Sequence, residues 1–396
     1  MRLSRDRRNV AVLAACQALF ASGQSMLIIM SGLVGASLAA DKALATLPVS
    51  ATVTGVLVAT IPASLMMKRT GRRLGFIVGA VIGILGGAIA AFALYIQDFW
   101  LFTLGTFLAG VQGGFAQFYR FAAADVAAPD FKSKAISLVL AGGVVAAVAG
   151  PELVKWTSEM LAPLVFLASY MTIAALPVAA ILLLLLLDIP RLTVQETKDP
   201  GRPLLRIARQ PAFGVAVLSG MVGYGVMSLI MTSTPLAMVA CGFVVGDAAT
   251  VIQWHVLAMF GPSFVTGSLI RRFGVLNIML IGMGLLAACV AVALAGIDML
   301  NFWIALVALG LGWNFSFVGA STLLTETYKP AERAKVQATN DFLVFGSAAT
   351  ASLLSGAILH LFDWETLQLV AAPFVIAATT ALLWLKTRRG RIPAVS

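Results

Sequence analysis

Long apolar runs separated by short polar segments form the dominant pattern along this 396-residue chain. A helix that crosses a bilayer needs about 20 apolar residues, whereas a transmembrane β-strand alternates in polarity over about ten. Twelve runs have the length of a helix, at about 10–38, 44–67, 74–96, 99–122, 134–154, 161–187, 211–237, 246–270, 275–296, 301–325, 336–360 and 367–385. The pattern therefore predicts an all-α polytopic membrane protein with 12 transmembrane helices.

Composition agrees with that prediction. Hydrophobic residues make up 60% of the chain and charged residues 11%, and the mean hydropathy is +0.97. Soluble domains are about 45–50% apolar and about one quarter charged. The three cysteines and two histidines show no metal-ligand spacing, and an odd number of cysteines does not suggest a disulfide framework. We expect neither a metal site nor a cofactor.

The net charge of +10 is unevenly distributed along the chain. With the N-terminus in the cytoplasm, nearly all of the 27 basic residues fall in cytoplasmic segments, and about half of the 17 acidic residues fall in outer loops. The positive-inside rule accounts for this asymmetry and places both termini in the cytoplasm. Because the basic charge is explained by the bilayer, we do not expect nucleic acid as a partner.

The two halves of the chain repeat each other. Residues 64–73 and 267–274 each end an apolar run with basic residues around a glycine, and these glycines, Gly71 and Gly274, are 203 positions apart. Further on, a shared pattern of an acid, a proline and two cations recurs 201 positions apart, at Asp125, Pro129, Lys132 and Lys134 and at Glu326, Pro330, Arg333 and Lys335. Such a duplication predicts two homologous membrane halves that face each other across a substrate path.

A polar interval at the midpoint separates the two halves. It contains several prolines and basic residues and is typical of a linker between helical bundles. The predicted domains are an N-terminal six-helix bundle (1–187), a cytoplasmic linker (188–210) and a C-terminal six-helix bundle (211–396).

Six plus six helices with a basic, glycine-centred loop after helices 2 and 8 resemble the major facilitator superfamily. The family's loop pattern is Gly-x-Leu-Ala-Asp-Arg-x-Gly-Arg-Arg. The first copy here supplies Ser64, Met66, Met67, Lys68, Arg69, Gly71, Arg72 and Arg73, and the second supplies Gly267, Leu269, Ile270, Arg271, Arg272 and Gly274. Both copies depart from the family by placing a cation, Lys68 or Arg271, where the family has an aspartate that helps to latch the inner gate.

The resemblance implies a secondary active transporter in a bacterial inner membrane, which moves a small organic solute by alternating access and is coupled to protons. A partial helix-5 motif, Gly142-Gly143 with Gly150-Pro151, is similar to that of family antiporters and slightly favours efflux of a drug or metabolite. Uptake of a small nutrient such as an aromatic, flavin-like vitamin is the first alternative. A non-transporting receptor or assembly factor of the same fold is the second. We expect a monomer without enzymatic activity, since the sequence shows neither a nucleophile–base pair nor a phosphate-binding loop.

Ionisable residues at membrane depth are candidates for proton coupling, because they are costly there unless they are paired or face water. Asp341 lies about two turns, roughly 10 Å, into helix 11, and His255 lies in helix 8. Structural hydrogen bonding is the alternative role for both. The predicted inner gate consists of acids and loop cations: Asp125, Glu326, Lys68, Arg69, Arg72, Arg73, Arg271 and Arg272.

Polar and aromatic residues of helices 1, 4, 7 and 10 are the expected lining of the substrate path, since these helices usually line it in the superfamily. They are Gln17, Gln24, Gln112, Gln117, Tyr224, Ser228, Trp313 and Asn314. Aromatic rings beside amides favour a neutral or aromatic solute. Interhelix packing is the alternative for each of them.

Overall fold

The computed structural model describes residues 5–41, 44, 47–189 and 201–390, and nearly all of them are helical. The helices are α1 (Arg5–Leu38), α2 (Leu47–Thr70), α3 (Arg72–Ile96), α4 (Phe99–Ala116), α5 (Tyr119–Val126), α6 (Lys132–Thr157), α7 (Leu167–Leu184), α8 (Leu204–Ala208), α9 (Pro211–Ala240), α10 (Val245–Phe260), α11 (Ser263–Phe273), α12 (Val275–Ala295), α13 (Met299–Leu324), α14 (Arg333–Leu361) and α15 (Trp364–Gly390), with a 3-10 turn at Pro330–Glu332.

Within the described ranges, ten helical stretches are long and apolar enough to cross a membrane, α4 and α5 together forming one of them. The two remaining predicted runs are also helical. Run 336–360 corresponds to α14, and run 246–270 corresponds to α10 and α11, which are separated at Gly261-Pro262. The structure thus agrees with the predicted twelve-helix fold, with one spanning segment broken where a proline removes a backbone donor.

The start of the sixth predicted run was placed too early. The run was predicted from residue 161, but α7 begins at Leu167, and residues 158–166 form successive turns. Phe166 at the end of these turns has a positive φ of 68°. Apolarity alone did not distinguish these turns from the helix, because the segment is as hydrophobic as the helix that follows.

The repeated glycine loops have the same backbone conformation. Gly71, between α2 and α3, has φ 90° and ψ 160°, and Gly274, between α11 and α12, has φ 86° and ψ 147°. Residues with a Cβ rarely adopt this conformation, so the loop requires glycine in both copies. The sequence repeat is therefore also a structural repeat.

The chain divides into two compact units, one within residues 1–128 and 138–199 and the other within 129–137 and 200–396. In the first unit, Met26, Met30, Phe102 and Tyr170 are fully buried in one apolar cluster. In the second, Trp313 and Phe302 are among the largest buried side chains. Each unit thus has its own core.

Equivalent helix crossings lie inside both units. A Cβ on Gly110 of α4 would lie 2.0 Å from the carbonyl oxygen of Thr52 in α2, and a Cβ on Gly310 of α13 would lie 2.6 Å from the carbonyl oxygen of His255 in α10. Only glycine permits backbones to approach this closely, as is common between helices in lipid. These crossings position the candidate residues of α4, α10 and α13.

Candidate functional site

Asp341, a predicted proton-coupling residue, lies about two turns into α14. Its side chain is fully buried, and Oδ1 accepts a hydrogen bond of 2.8 Å from Nδ2 of Asn340. One turn earlier, the buried Gln337 donates from Nε2 to the hydroxyl of Tyr328 at 2.6 Å. The first turns of α14 therefore hold a buried group of polar side chains that includes one carboxyl group.

His255, the other predicted proton-coupling residue, is fully buried in α10. Its Nδ1 lies 2.8 Å from the carbonyl oxygen of Leu306 in α13. In the first unit, the hydroxyl of Thr52, the counterpart of His255 in the repeat, donates to the carbonyl oxygen of Thr106 in α4 at 3.2 Å. The two side chains thus bridge equivalent helix pairs, which gives His255 a structural role; its part in proton coupling stays a prediction.

The first of the predicted gate acids forms a buried ion pair. Nη2 and Nε of Arg72, the first residue of α3, lie 3.0 and 3.2 Å from Oδ2 of Asp125 in α5. The side chains are only 3% and 11% exposed. The guanidinium of Arg72 also lies 5.6 Å from the centre of the Phe118 ring, a geometry that favours a cation. The loop after α2 is thus tied to α5 by charge and by an aromatic contact.

The second predicted gate acid does not repeat this arrangement. Glu326 pairs with Arg389 of α15 at 2.9 Å, and both side chains are substantially exposed. The predicted gate cation Arg272 is exposed and lies over the ring of Phe273, at 5.3 Å. Val275 occupies the position of Arg72 in the second half, so Glu326 has no loop cation equivalent to Arg72; the roles of Glu326 and Arg272 in a gate stay a prediction.

The other predicted gate cations are located at helix ends. Lys68 and Arg69 lie in the last turn of α2, and Arg73 lies in the first turn of α3. Arg271 lies in the last turn of α11. Arg69, Arg73 and Arg271 are exposed and Lys68 is half-buried, so their charges reach solvent or headgroups beside the glycine loops.

Two of the glutamines predicted to line the path meet at one pocket of the first unit. Gln24 of α1 and Gln112 of α4 line it with apolar residues, Phe20 among them. Nε2 of Gln24 donates to the carbonyl oxygen of Ala109 at 3.4 Å. Gln112 packs against Gly83, where an added Cβ would lie 2.1 Å from its Oε1. The pocket therefore combines amides with an apolar wall.

The other two glutamines lie apart from that set of lining residues. Gln17 is half-buried in α1. Gln117 is located at the break between α4 and α5, where its backbone and side-chain oxygens both accept from Nη1 of Arg120, at 2.6 and 3.3 Å. Arg120 is 2% exposed and lies over the Phe121 ring at 4.4 Å. Gln117 therefore stabilises a buried cation.

The aromatic candidates of the second unit form a cluster. Tyr224 of α9 makes edge contacts with Trp313, Phe317 and Phe345, with ring centroids 5.2–5.5 Å apart. Trp313 stacks on Phe317 at 5.1 Å and meets Phe260 at 5.5 Å. Among the described residues, Nε1 of Trp313 has no hydrogen-bond partner. We call these five residues the Tyr224 cluster.

Ser228 is half-buried one turn after Tyr224 in α9. Asn314, next to Trp313, is fully buried and its amide supports the broken span. Its Nδ2 donates to the carbonyl oxygen of Met259 and to Oγ of Ser263, each at 2.6 Å, and its Oδ1 accepts from Thr266 at 2.6 Å. Backbone groups released by a helix break must be satisfied inside the protein at membrane depth, so Asn314 serves a structural purpose here.

Sequence reasoning missed a second buried ion pair. Glu332, which is 1% exposed, accepts from Nη2 of Arg202 at 2.6 Å and from its Nε at 2.8 Å. It also accepts from the backbone N–H of Lys329 at 2.9 Å, which closes the 3-10 turn. The Arg202 guanidinium holds the pKa of Glu332 down at about 2. The spacing Lys329-Pro-Ala-Glu332 signals a capped turn, but nothing in the sequence indicates a partner 130 residues away.

Comparisons with known proteins cover nearly the whole chain. The family model described as Major Facilitator Superfamily matches residues 13–291 and 242–396. A Brucella anthropi protein described as riboflavin transporter RfnT is 44% identical over 379 residues, 95% of each chain. The Bacillus subtilis protein YddS, described as an uncharacterized MFS-type transporter, is 28% identical over 96% of this chain and 91% of its own.

Solved structures share the fold at low sequence identity. The transporter FucP in its outward conformation has a TM-score of 0.78 at 19% identity, over 95% of this chain and 98% of FucP. The human organic anion transporter MFSD10 has a TM-score of 0.77 at 14% identity, over 96% of this chain and 100% of its own. Because the family model and a 44% identical relative both extend across the two halves, this chain belongs to the major facilitator superfamily: it is a membrane transporter and not an enzyme.

Proposed function

We propose that this transporter carries riboflavin, or a flavin with the same ring system, into the cell. The observation that carries the proposal is the 44% identity to a riboflavin transporter over 95% of both chains. The match includes both six-helix halves and therefore every helix expected to contact a substrate. Among the functions predicted from the sequence, this identity supports uptake of an aromatic vitamin.

The Tyr224 cluster supports a planar aromatic substrate. Tyr224 is half-buried, so part of its ring remains available, whereas Trp313 is 2% exposed. Three rings hold Tyr224 edge-on, which fixes its plane without a loss of side-chain entropy upon binding. A flavin ring system could stack on a tyrosine held in this way.

The pocket of the first unit that Gln24 and Gln112 line supports recognition of the polar edges of a flavin. A flavin has a pyrimidine edge with hydrogen-bond donors and acceptors, and its ribityl chain carries hydroxyl groups. A glutamine amide provides both donors and an acceptor, and Gln24 and Gln112 place two amides at one pocket. Neither group is charged, which suits a substrate without a phosphate.

The glycines that suggested efflux have a packing explanation. A Cβ on Gly142 of α6 would lie 2.6 Å from the carbonyl oxygen of Ala14 in α1, and a Cβ on Gly150 would lie 2.5 Å from Cβ of Ser25. Close approach of α1 and α6 accounts for both residues. The partial glycine motif of α6, which is the fifth predicted span, therefore no longer favours efflux over uptake.

Uptake of labelled riboflavin by proteoliposomes and by intact cells tests the substrate and the direction. We expect saturable uptake, and we expect Tyr224→Ala to raise KM by roughly tenfold, the loss of one stacking contact of about 1.4 kcal/mol. Tyr95→Ala is the matched control, since Tyr95 is 64% exposed on α3. Uptake no greater than that of empty vesicles would reject riboflavin, and equal KM values for the two variants would reject the role of the Tyr224 cluster.

We also propose that Asp341 takes up the coupling proton. Its complete burial in α14, beside the amide of Asn340, supports this role, because ionisable side chains at membrane depth are costly and commonly mark proton pathways in transporters. We expect an inward proton gradient to accelerate wild-type uptake. We expect Asp341→Asn to keep riboflavin exchange and to lose the response to the gradient.

Asp298→Asn, at an exposed helix start, is the matched control and should respond like the wild type. A pH-sensitive dye inside the liposomes should register proton entry together with riboflavin in the wild type. The same dye should register no riboflavin-dependent proton entry in Asp341→Asn. Proton entry of normal size in Asp341→Asn would exclude this residue from coupling and leave the choice of riboflavin untouched.

We propose that the inner gate depends on the Arg72–Asp125 pair alone, and not on an acid in each half as expected from the repeat. The buried Arg72–Asp125 pair has the burial that a gate element needs, and the exposed Glu326–Arg389 pair does not. Asp125→Asn should reduce the rate of uptake severalfold, while Glu326→Gln should leave it unchanged. Equal effects of the two substitutions would restore the symmetric gate.

A further inference from the structure

The short helix α8 lies at the end of the central polar interval, directly before the spanning helix α9, and one side of it is buried while the other is exposed. Ile207 on its inner side is completely buried. On its outer side Leu205 is 67% exposed, and Arg206 and Arg209 are exposed as well. Arg206 and Arg209 are three residues apart, so a helical turn places them on neighbouring positions of one face.

The N-terminal side of α8 is fixed by the Arg202–Glu332 pair. Glu332 accepts from the backbone N–H of Arg202 as well as from its side chain, at 2.8 Å and 2.6–2.8 Å. In addition, Nζ of Lys335 donates to the carbonyl oxygen of Arg202. The residue that leads into α8 is therefore held through both its side chain and its backbone.

The C-terminal side of α8 is held by the same loop. Nε2 of Gln210 donates to the carbonyl oxygen of Thr327 at 2.9 Å, and Nη2 of Arg202 donates to that same oxygen at 3.0 Å. Both ends of α8 are thus bound to one backbone group. Rotation of the helix about its axis would break these partly buried hydrogen bonds, which therefore hold its outer face in the exposed position.

The outer cations of α8 are available for an external anion. In the described part of the chain, neither Arg206 nor Arg209 forms an ion pair. The arginines at the start of the first half differ, because Arg5 and Arg8 approach Asp188 to 2.7 and 3.9 Å. Among the described residues, no acidic side chain neutralises these two arginines beside the first spanning helix of the second half.

We propose that α8 is a docking site for the phosphate headgroups of anionic phospholipids in the leaflet that its basic residues face. Its position argues for lipid, since Pro211 starts a spanning helix directly after Gln210 and α8 must lie at the bilayer surface. An exposed leucine beside two arginines has the composition of an interfacial segment, in which the apolar side chain enters the acyl region and the cations meet anionic lipid.

An environment-sensitive fluorophore on Leu205→Cys tests the proposal in the full-length protein. The background is Cys241→Ser, because Cys241 is the exposed member of the three free cysteines. Nanodiscs contain phosphatidylcholine alone or with increasing phosphatidylglycerol, and the phosphatidylglycerol fraction at half-maximal spectral shift is measured. We expect a blue shift that grows with phosphatidylglycerol and is weakened by high salt.

The variant Arg206→Gln/Arg209→Gln should need roughly tenfold more phosphatidylglycerol for the same shift. Lys386→Gln/Arg388→Gln removes two cations from the exposed end of α15 and should change the midpoint less than about twofold. The absence of any response to phosphatidylglycerol, or equal midpoints in the two double variants, would overturn the proposal. So would an equal shift caused by inorganic phosphate in phosphatidylcholine nanodiscs, because the site would then bind free phosphate.

Discussion

Among the described residues, a buried ion pair is found in each half of the transporter, but the two pairs are formed by residues that are not equivalent in the repeat. The first half uses Arg72 and Asp125. In the second half Val275 occupies the position of Arg72, and the counterpart of Asp125, Glu326, turns to the exposed Arg389. Duplicated backbone positions therefore did not retain duplicated chemistry.

The buried pair of the second half uses a different acid, Glu332, which lies six residues after Glu326. Glu332 corresponds to Phe131 in the first half, and its partner Arg202 precedes α8, an element for which the first half has no described equivalent. When one member of a buried pair is lost, the remaining charge becomes costly unless it moves to solvent or acquires another partner. Glu326, the counterpart of Asp125, shows both outcomes, since it is exposed and pairs with Arg389.

The largest effect is expected from breaking the pair in the first half. Arg72→Met removes the guanidinium that lies 3.0 Å from the Asp125 carboxylate, which is 11% exposed, and removal of one partner of a buried pair costs about 3–5 kcal/mol. Thermal and denaturant unfolding in micelles measure the loss. The double variant Arg72→Met/Asp125→Leu should recover most of it. A stability loss below about 1 kcal/mol in the single variant would show that burial does not distinguish this pair from a surface pair.

A slightly smaller effect is expected at the broken span of the second half. Asn314→Ala leaves the carbonyl of Met259 and the hydroxyls of Ser263 and Thr266 without their amide partner, a cost of about 2–3 kcal/mol at full burial. The first half has Gly114 at the corresponding position and an unbroken α2. Gly225→Ala, where an added Cβ would make only ordinary contacts with Ser347 at 3.8 and 3.9 Å, is the control in a thermal unfolding series. An equal melting temperature for both variants would argue that the break needs no support.

An intermediate effect is expected for Glu332→Gln, about 1.5–2 kcal/mol, because Arg202 remains partly exposed and keeps some hydration. The pKa of Glu332 is about 2 in the folded protein against an ordinary value of 4.5, so its stabilisation is complete above about pH 4.5 and declines as the pH falls toward 2. Unfolding measured between pH 6 and pH 3 should therefore show a steeper decline for the wild type than for Glu332→Gln. Parallel declines would contradict the assignment.

The smallest effect is expected for Glu326→Gln. Both members of the Glu326–Arg389 pair are about 40% exposed, and such pairs contribute about 0–1 kcal/mol. We expect a change in stability within about 0.5 kcal/mol that disappears in high salt. A loss as large as that of Arg72→Met would mean that the two halves are equivalent after all.

Local patterns predicted the helices and several buried groups because apolar periodicity and membrane depth are written into consecutive residues. Asp341 could be recognised as a candidate in this way. The association of Asp125 with the loop that contains Arg72 could be recognised as well. The pairs Arg202–Glu332 and Arg389–Glu326 could not, since their members are 130 and 63 residues apart and meet only through tertiary packing. His255 was recognised as a candidate, but its carbonyl partner on α13 became visible only through the helix crossing.

The division of one span into α10 and α11 also affects how the protein enters the membrane. The uninterrupted apolar stretch Thr250–Phe260 is shorter than the other spans, and a segment of that length partitions poorly into lipid by itself. We expect the translocon to retain this stretch until α12 and α13 follow and Asn314 can reach it. A nascent chain that ends after Phe273 should therefore leave residues 250–260 accessible to water-soluble thiol reagents at introduced cysteines. One that extends to Leu324 should protect them, and protection in both would show that the stretch inserts unaided.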